Sequence, residues 1–186
     1  MDEELIEKIE LNSLPSKYKK WKTLFSYRNR VDFLPLQMRE KVAEQLMACD
    51  YMLSLELWLK PFSVIEKRHK RIFVQQIASI YEGIIDSFLS NRIQKSLNND
   101  VLVKEITKKS RFIDYRTFIT SISLLEKIGK ISSWKDYLIK VAEVRNYIHL
   151  SKEEQVDVNQ WLTAQSSEAI RLKLNDFIEY AKINLK

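Results

Sequence analysis

Gly83 and Gly129 are the only glycines in 186 residues, and there are only three prolines. Folds built from strands turn often, and their turns draw on Gly and Pro. This chain is instead filled with Leu, Ile, Lys, Glu and Gln in long periodic runs, which favour helices. An all-α fold is expected. The same scarcity excludes a Gly-rich phosphate loop and a dinucleotide fingerprint, each of which needs several glycines close together.

Hydrophobic residues make up 45 % of the chain, enough to bury a core, and the length suits one domain or one domain with a helical extension. Cys49 is the only cysteine, so neither an intrachain disulfide framework nor a cysteine-based zinc site is available. His69 and His149 are the only histidines, too few for a multi-histidine metal centre. No metal and no cofactor is expected. The opening "MDEELIEKIELNSL" is acidic and amphipathic, unlike a signal or transit peptide, and no apolar run approaches the length of a membrane span. The expected setting is cytoplasmic, with no membrane partner.

Helical periodicity and its breaks divide the chain. Pro15 and Pro35 separate two or three N-terminal helices, the last running from about Leu36 towards Leu59 and stopping before Pro61. Residues 1–61 are thus read as an N-terminal helical extension and 62–186 as the main bundle. A long helix is expected from Phe62 to about Ser90, with Phe73, Ile77, Ile80, Tyr81, Ile84, Ile85 and Phe88 on one side. The polar stretch 90–100 reads as a loop, and a short helix is expected over 101–109. The next helix, within "SRFIDYRTFITSISLLEKIGK", should be closed by Gly129 in a left-handed conformation. Ser132 or Ser133 suits the cap of the following helix, with Asp136 in its first turn, and that helix should end near Leu150. Ser151 and Glu154 have capping-box spacing for a further short helix. A final helix carries the stripe Ile170, Leu174, Phe177, Ile178 and Ala181.

Candidate functional residues concentrate in "VAEVRNYIHLSK", residues 141–152. At 100° per residue Tyr137, Val141, Val144 and Ile148 form one arc that Leu138 and Ala142 extend. Arg145 and His149 fall inside that extension, one turn apart, and Asn146 lies within reach of His149. A guanidinium on the apolar side of a helix is costly unless it meets a partner or a polar cleft. Histidine suits proton transfer to or from a ribose hydroxyl, and arginine suits charge stabilisation on a phosphate. The plainer alternative pairs Arg145 with a buried acid such as Glu82, Asp114 or Asp136 and leaves His149 at the helix end, where the dipole favours a cation.

Net charge is +6, which permits a polyanionic partner without requiring one. Positive charge gathers at Lys19, Lys20 and Lys22 in "KYKKWK" and at Lys67, Arg68, Lys70 and Arg71 in "EKRHKR". Each cluster suits either a phosphate backbone or a solvated helix face with snorkelling side chains. His69, within the second cluster, is expected to be exposed to solvent. Cys49 and the four tryptophans, Trp21, Trp58, Trp134 and Trp161, are expected to pack rather than react or stack on bases. Arg28 and Asn29 repeat the Arg-Asn pair with no following histidine and are read as chance.

The segment "EVRNYIHL", preceded by "SISLLEKIGKISSWKDYLIKVA" and, some 45 residues earlier, by "QIASIYEGIIDSFL", resembles the HEPN superfamily of small helical bundles. There a helix of the form "aa.lyE..l...l" precedes, across an intervening helix and a short Gly-containing turn, a helix ending in an Arg-Asn…His motif. The resemblance covers about residues 62–185 and implies a four- to five-helix bundle. It further implies a homodimer that brings two copies of the motif into one cleft. Active members are metal-independent endoribonucleases, often in toxin–antitoxin or phage-defence settings with a cognate antitoxin or nucleotidyltransferase partner. By position Arg145 and His149 would be the catalytic pair and Asn146 the polar residue after the arginine. The commoner family spacing has four to six residues between Arg and His, and here three, "NYI", intervene. Other members are RNA-binding or interaction modules, so a silent helical module in which Arg145 and His149 hold helices together stands beside the nuclease reading.

Overall fold

The computed structural model describes residues 21–59, 63–95, 117–146 and 156–185, and among these every regular element is an α-helix. Seven are present among the described residues: α1 (Trp21–Arg30), α2 (Leu36–Leu59), α3 (Ser63–Lys95), α4 (Phe118–Lys127), α5 (Lys135–Asn146), α6 (Val156–Ala164) and α7 (Ser167–Asn184). The expected all-α class holds over these residues.

The 33-residue α3 is the axis of the bundle. Phe73, Val74, Ile77, Ala78, Ile80, Tyr81, Ile84, Ile85, Phe88 and Leu89 are all buried on it, and they sweep about half of its circumference. So wide an apolar arc follows from its neighbours, since α2, α4, α5 and α7 all pack against it. The helix continues to Lys95, past the point where the polar stretch from residue 90 suggested a loop. No Gly or Pro interrupts residues 90–95, and polarity alone does not end a helix whose outer side faces water. The short helix expected over 101–109 lies outside the described residues.

The N-terminal helices belong to the same core. Tyr27, Val31, Leu34, Val42, Ala43, Leu46 and Cys49 join the residues of α3, α5 and α7 in one hydrophobic cluster. Gly83 allows α2 to lie close, because a Cβ there would stand 3.2 Å from Met38 Sδ and 3.5 Å from Val42 Cγ2. Pro35 sits just before α2, and its carbonyl accepts from the Arg39 N–H at 2.8 Å.

Gly129 closes α4 as expected. Its φ is +67°, the Gly129 N–H donates to Glu126 O at 2.8 Å, and the Lys130 N–H donates to Leu125 O at 3.0 Å. These are the two bonds of a Schellman motif. A side chain at positive φ is strained, so Gly129→Ala is expected to cost about 1–2 kcal/mol, read as a fall of a few degrees in Tm. An unchanged Tm would contradict this account of the turn. Ser132 and Ser133 lie in the turn that follows, where Ile131 O accepts from the N–H groups of Trp134 and Lys135, and Asp136 occupies the first turn of α5. Ser166 caps α7 through its hydroxyl, which accepts from the Ala169 N–H at 3.0 Å. The stripe Ile170, Leu174, Phe177, Ile178 and Ala181 is buried along that helix.

An aromatic layer joins α3, α5 and α7. Tyr81 meets Phe177 edge-on at 4.8 Å between centroids and Tyr137 at 6.1 Å, while Trp134 meets Phe177 at 5.2 Å. Trp161 packs on Tyr137. The side chains of Trp21 and Trp58 lie outside the described residues. The hydroxyls of Tyr81 and Tyr137 are buried side by side. Burial pushes the Tyr137 phenol from 10.0 up to about 12 and raises Tyr81 well above its usual value. The unfolded chain therefore loses these protons first. Their contribution to stability is constant below about pH 10 and is lost as the pH rises through the folded values, between about 10 and 12 for Tyr137. For Tyr137 the loss is about 1.4 kcal/mol by pH 11. Tyr137→Phe is expected to flatten the alkaline limb of Tm against pH, and parallel curves for both proteins would contradict the burial of this phenol.

Candidate functional site

α5 places the candidate residues. Leu138, Val141, Ala142 and Val144 bury one side of it, mainly against α3 and α4, which fixes the rotation of its last turn. Arg145 then projects towards α3, where its Nη1 lies 2.5 Å from Glu82 Oε2. Of the three acids weighed for this role, Glu82 is the partner; Asp136 lies at the opposite end of α5, and Asp114 is outside the described residues. The ion pair is not sealed, since the Arg145 and Glu82 side chains keep 36 % and 22 % of their surface. Asn146 is exposed at the last position of the helix. Tyr147 and His149 lie outside the described residues.

The second basic cluster divides in two. Lys67 and Arg68 are exposed. Lys70 Nζ instead donates to Leu162 O at 3.2 Å, and Arg71 Nη2 donates to Asn159 Oδ1 at 2.8 Å. Both residues thereby dock α6 onto α3, with Lys70 on a carbonyl near the end of α6, where a cation is favoured. Lys67, Lys70 and Arg71 nonetheless line a groove of about 200 Å³ with Glu66, Asn159, Leu162 and Thr163. Lys19 and Lys20 lie outside the described residues, as does the side chain of Lys22 on α1.

His69 is not solvent-exposed. Its side chain keeps 20 % of its surface, Nε2 lies 3.2 Å from Met52 O, and Glu56 Oε2 is 3.5 Å away. The reason is the helical turn: Lys67 and Arg68 face outward, whereas position 69 rotates towards α2. Arg28 also has a structural role, pairing with Glu40 through Nε at 2.7 Å and Nη2 at 2.5 Å.

A buried polar cluster escaped the sequence reading. Arg171 is 4 % exposed, and its Nε donates to Asp50 Oδ1 at 2.5 Å. Tyr27 donates its hydroxyl to Asp50 Oδ2 at 2.6 Å, and Asn175 Oδ1 accepts from both Arg171 Nη1 and Arg30 Nη2. Burial, then the Arg171 charge, holds the Arg30 guanidinium below its usual pKa. The cluster ties α1, α2 and α7 together. A signal for it existed: Arg171 borders the apolar stripe of α7 beside Ile178. Cys49, next to this cluster in sequence, is fully buried, and burial pushes its thiol up to about 12, which leaves it unreactive.

Among the described residues no group of three or more His, Cys, Asp or Glu side chains is placed to hold a metal ion. No helix of the described residues is long and apolar enough to cross a membrane. Compared with known proteins, the chain matches no family model, no curated protein and no solved structure.

Proposed function

We propose that this chain is a HEPN-like RNA-processing protein that cleaves phosphodiesters without a metal at Arg145, Asn146 and His149, acting as a homodimer with two motif copies in one cleft. The observation that carries the reading is the Arg145–Glu82 pair. Glu82 stands in "IYEGII", the stretch that resembles the family's earlier helix, and Arg145 stands in the stretch that resembles its motif; the two side chains meet at 2.5 Å. The carboxylate holds the guanidinium in place, and Arg145 still keeps more than a third of its surface. Arginine has five N–H donors, so an anchored and exposed guanidinium can also receive a phosphate.

In the proposed reaction a ribose 2′-hydroxyl loses its proton and its oxygen bonds to the adjacent phosphorus. The P–O5′ bond then breaks, and the leaving oxygen takes a proton. The products are a 2′,3′-cyclic phosphate and a 5′-hydroxyl. His149 handles one of these protons, Arg145 stabilises the extra charge on the pentavalent phosphorus, and Asn146 binds a phosphate or ribose oxygen. End-labelled structured RNA incubated with the protein in EDTA is expected to yield fragments ending in cyclic phosphate. Intact RNA at all protein concentrations would overturn the nuclease reading.

The ion pair also favours a second reading, a silent helical interaction module in which Arg145 only joins α5 to α3. Its exposure argues against that role being large, because a pair open to water contributes about 1 kcal/mol or less. A toxin–antitoxin or phage-defence setting, with an antitoxin or nucleotidyltransferase partner, is the biological context this proposal implies.

A further inference from the structure

We propose that the groove between α3 and α6 is a phosphate subsite for single-stranded RNA, in line with the Arg145 site, and that it gives the protein a minimum substrate length. The inference rests on the proposed RNA function and adds to it the class and extent of the substrate. Among the described residues the groove presents Lys67, Lys70 and Arg71 against one acid, Glu66, with the amide of Asn159 and the hydroxyl of Thr163 beside them. Lys70 and Arg71 each make one bond to α6, and an ammonium with three donors or a guanidinium with five retains others for an anion. Positive charge with neutral hydrogen-bonding groups suits a phosphate diester better than an apolar ligand.

Placement on α3 connects the groove to the other site. Arg71 and Glu82 are eleven residues apart, which brings them to within about 20° of the same face and about 16 Å of each other along the axis. Gln75 lies on the same face between them and is half-buried. Arg145 is held at Glu82 and Asn159 at Arg71. Two points are thus fixed along one line of α3. A strand with one phosphate at Arg145 reaches the groove only if it extends several nucleotides. A dinucleotide fills one site and not the other.

The test uses fluorescence anisotropy with 5′-labelled 2′-O-methyl oligouridylates of two and eight nucleotides, which lack the attacking hydroxyl, titrated over a salt series. Lys67 is the residue to change, because it is exposed and Lys70 and Arg71 carry the bonds to α6. Lys67→Glu is expected to weaken octanucleotide binding about tenfold and to reduce the slope of log K against log salt by about 0.7, the loss of one contact on a single strand. Lys67→Gln should fall between the two, and binding of the dinucleotide should not change. Arg145→Ala should weaken both oligonucleotides. Tight octanucleotide binding by both Lys67 variants would overturn the subsite while leaving the Arg145 reading in place. Failure of the wild type to bind either RNA at low salt would overturn both. Equal weakening by Lys67→Glu of RNA and of a poly-glutamate peptide with matched charge would overturn the assignment to phosphate.

Discussion

His149→Ala is expected to reduce metal-independent RNA cleavage by about 10²–10⁴-fold, the usual contribution of a positioned acid or base, and Arg145→Ala by about 10²–10³-fold through lost stabilisation of charge. Stability should barely respond. Glu82 keeps 22 % of its side-chain surface in water even with Arg145 in place, so the carboxylate is rehydrated when Arg145 is removed, and the loss is about 1 kcal/mol, roughly 2–4 °C in a chain of this size. Measured together, cleavage rate and Tm separate the two readings. A large fall in rate with a small fall in Tm supports the catalytic pair. A fall of about 10 °C for Arg145→Ala, with cleavage by His149→Ala at the wild-type rate, would make Arg145 a structural residue and sink the nuclease proposal.

Asp50→Ala is expected to be strongly destabilising, costing about 3–5 kcal/mol, or roughly 10 °C in Tm. The reason is what remains. Arg171 keeps only 5 % of its side-chain surface, and without Asp50 it is a buried cation that shares Asn175 Oδ1 with a second cation, Arg30. Tyr27 loses its acceptor as well. Asp50→Asn, which keeps one of the two acceptor oxygens, should cost less. Glu143→Ala provides the contrast, because the Lys140–Glu143 pair is exposed at 44 % and 33 % and its loss should stay within about 1 kcal/mol. Equal effects at Asp50 and Glu143 would show that burial does not set the cost here.

The candidate site was partly legible. Arg145 inside the apolar arc of α5 and Glu82 at the edge of the α3 arc follow from helical spacing, but Glu82, Asp114 and Asp136 stand as equal candidates until the packing of α5 on α3 fixes one rotation. The basic run at residues 67–71 was legible as charge, not as placement. Successive helical positions point 100° apart, so Lys67 and Arg68 face water, His69 turns to α2, and Lys70 and Arg71 reach α6. Arg171, Asp50 and Arg30 lie far apart in sequence, and no local pattern joins them.

The sequence by itself determined what depends on neighbours along the chain. Sparse Gly and Pro imposed helices, Gly129 closed α4, Ser166 opened α7, and the apolar stripes of α3 and α7 chose the faces to bury. Each of these is decided within a few turns, where backbone strain and side-chain spacing act directly. Tertiary structure decided which charges meet. Burial makes a charge's partner important, and burial is set by helices that are distant in sequence. Only the assembled bundle could give Arg145 to Glu82, enclose Arg171 with Asp50, and place the groove at Arg71 on the same line of α3 as the candidate site.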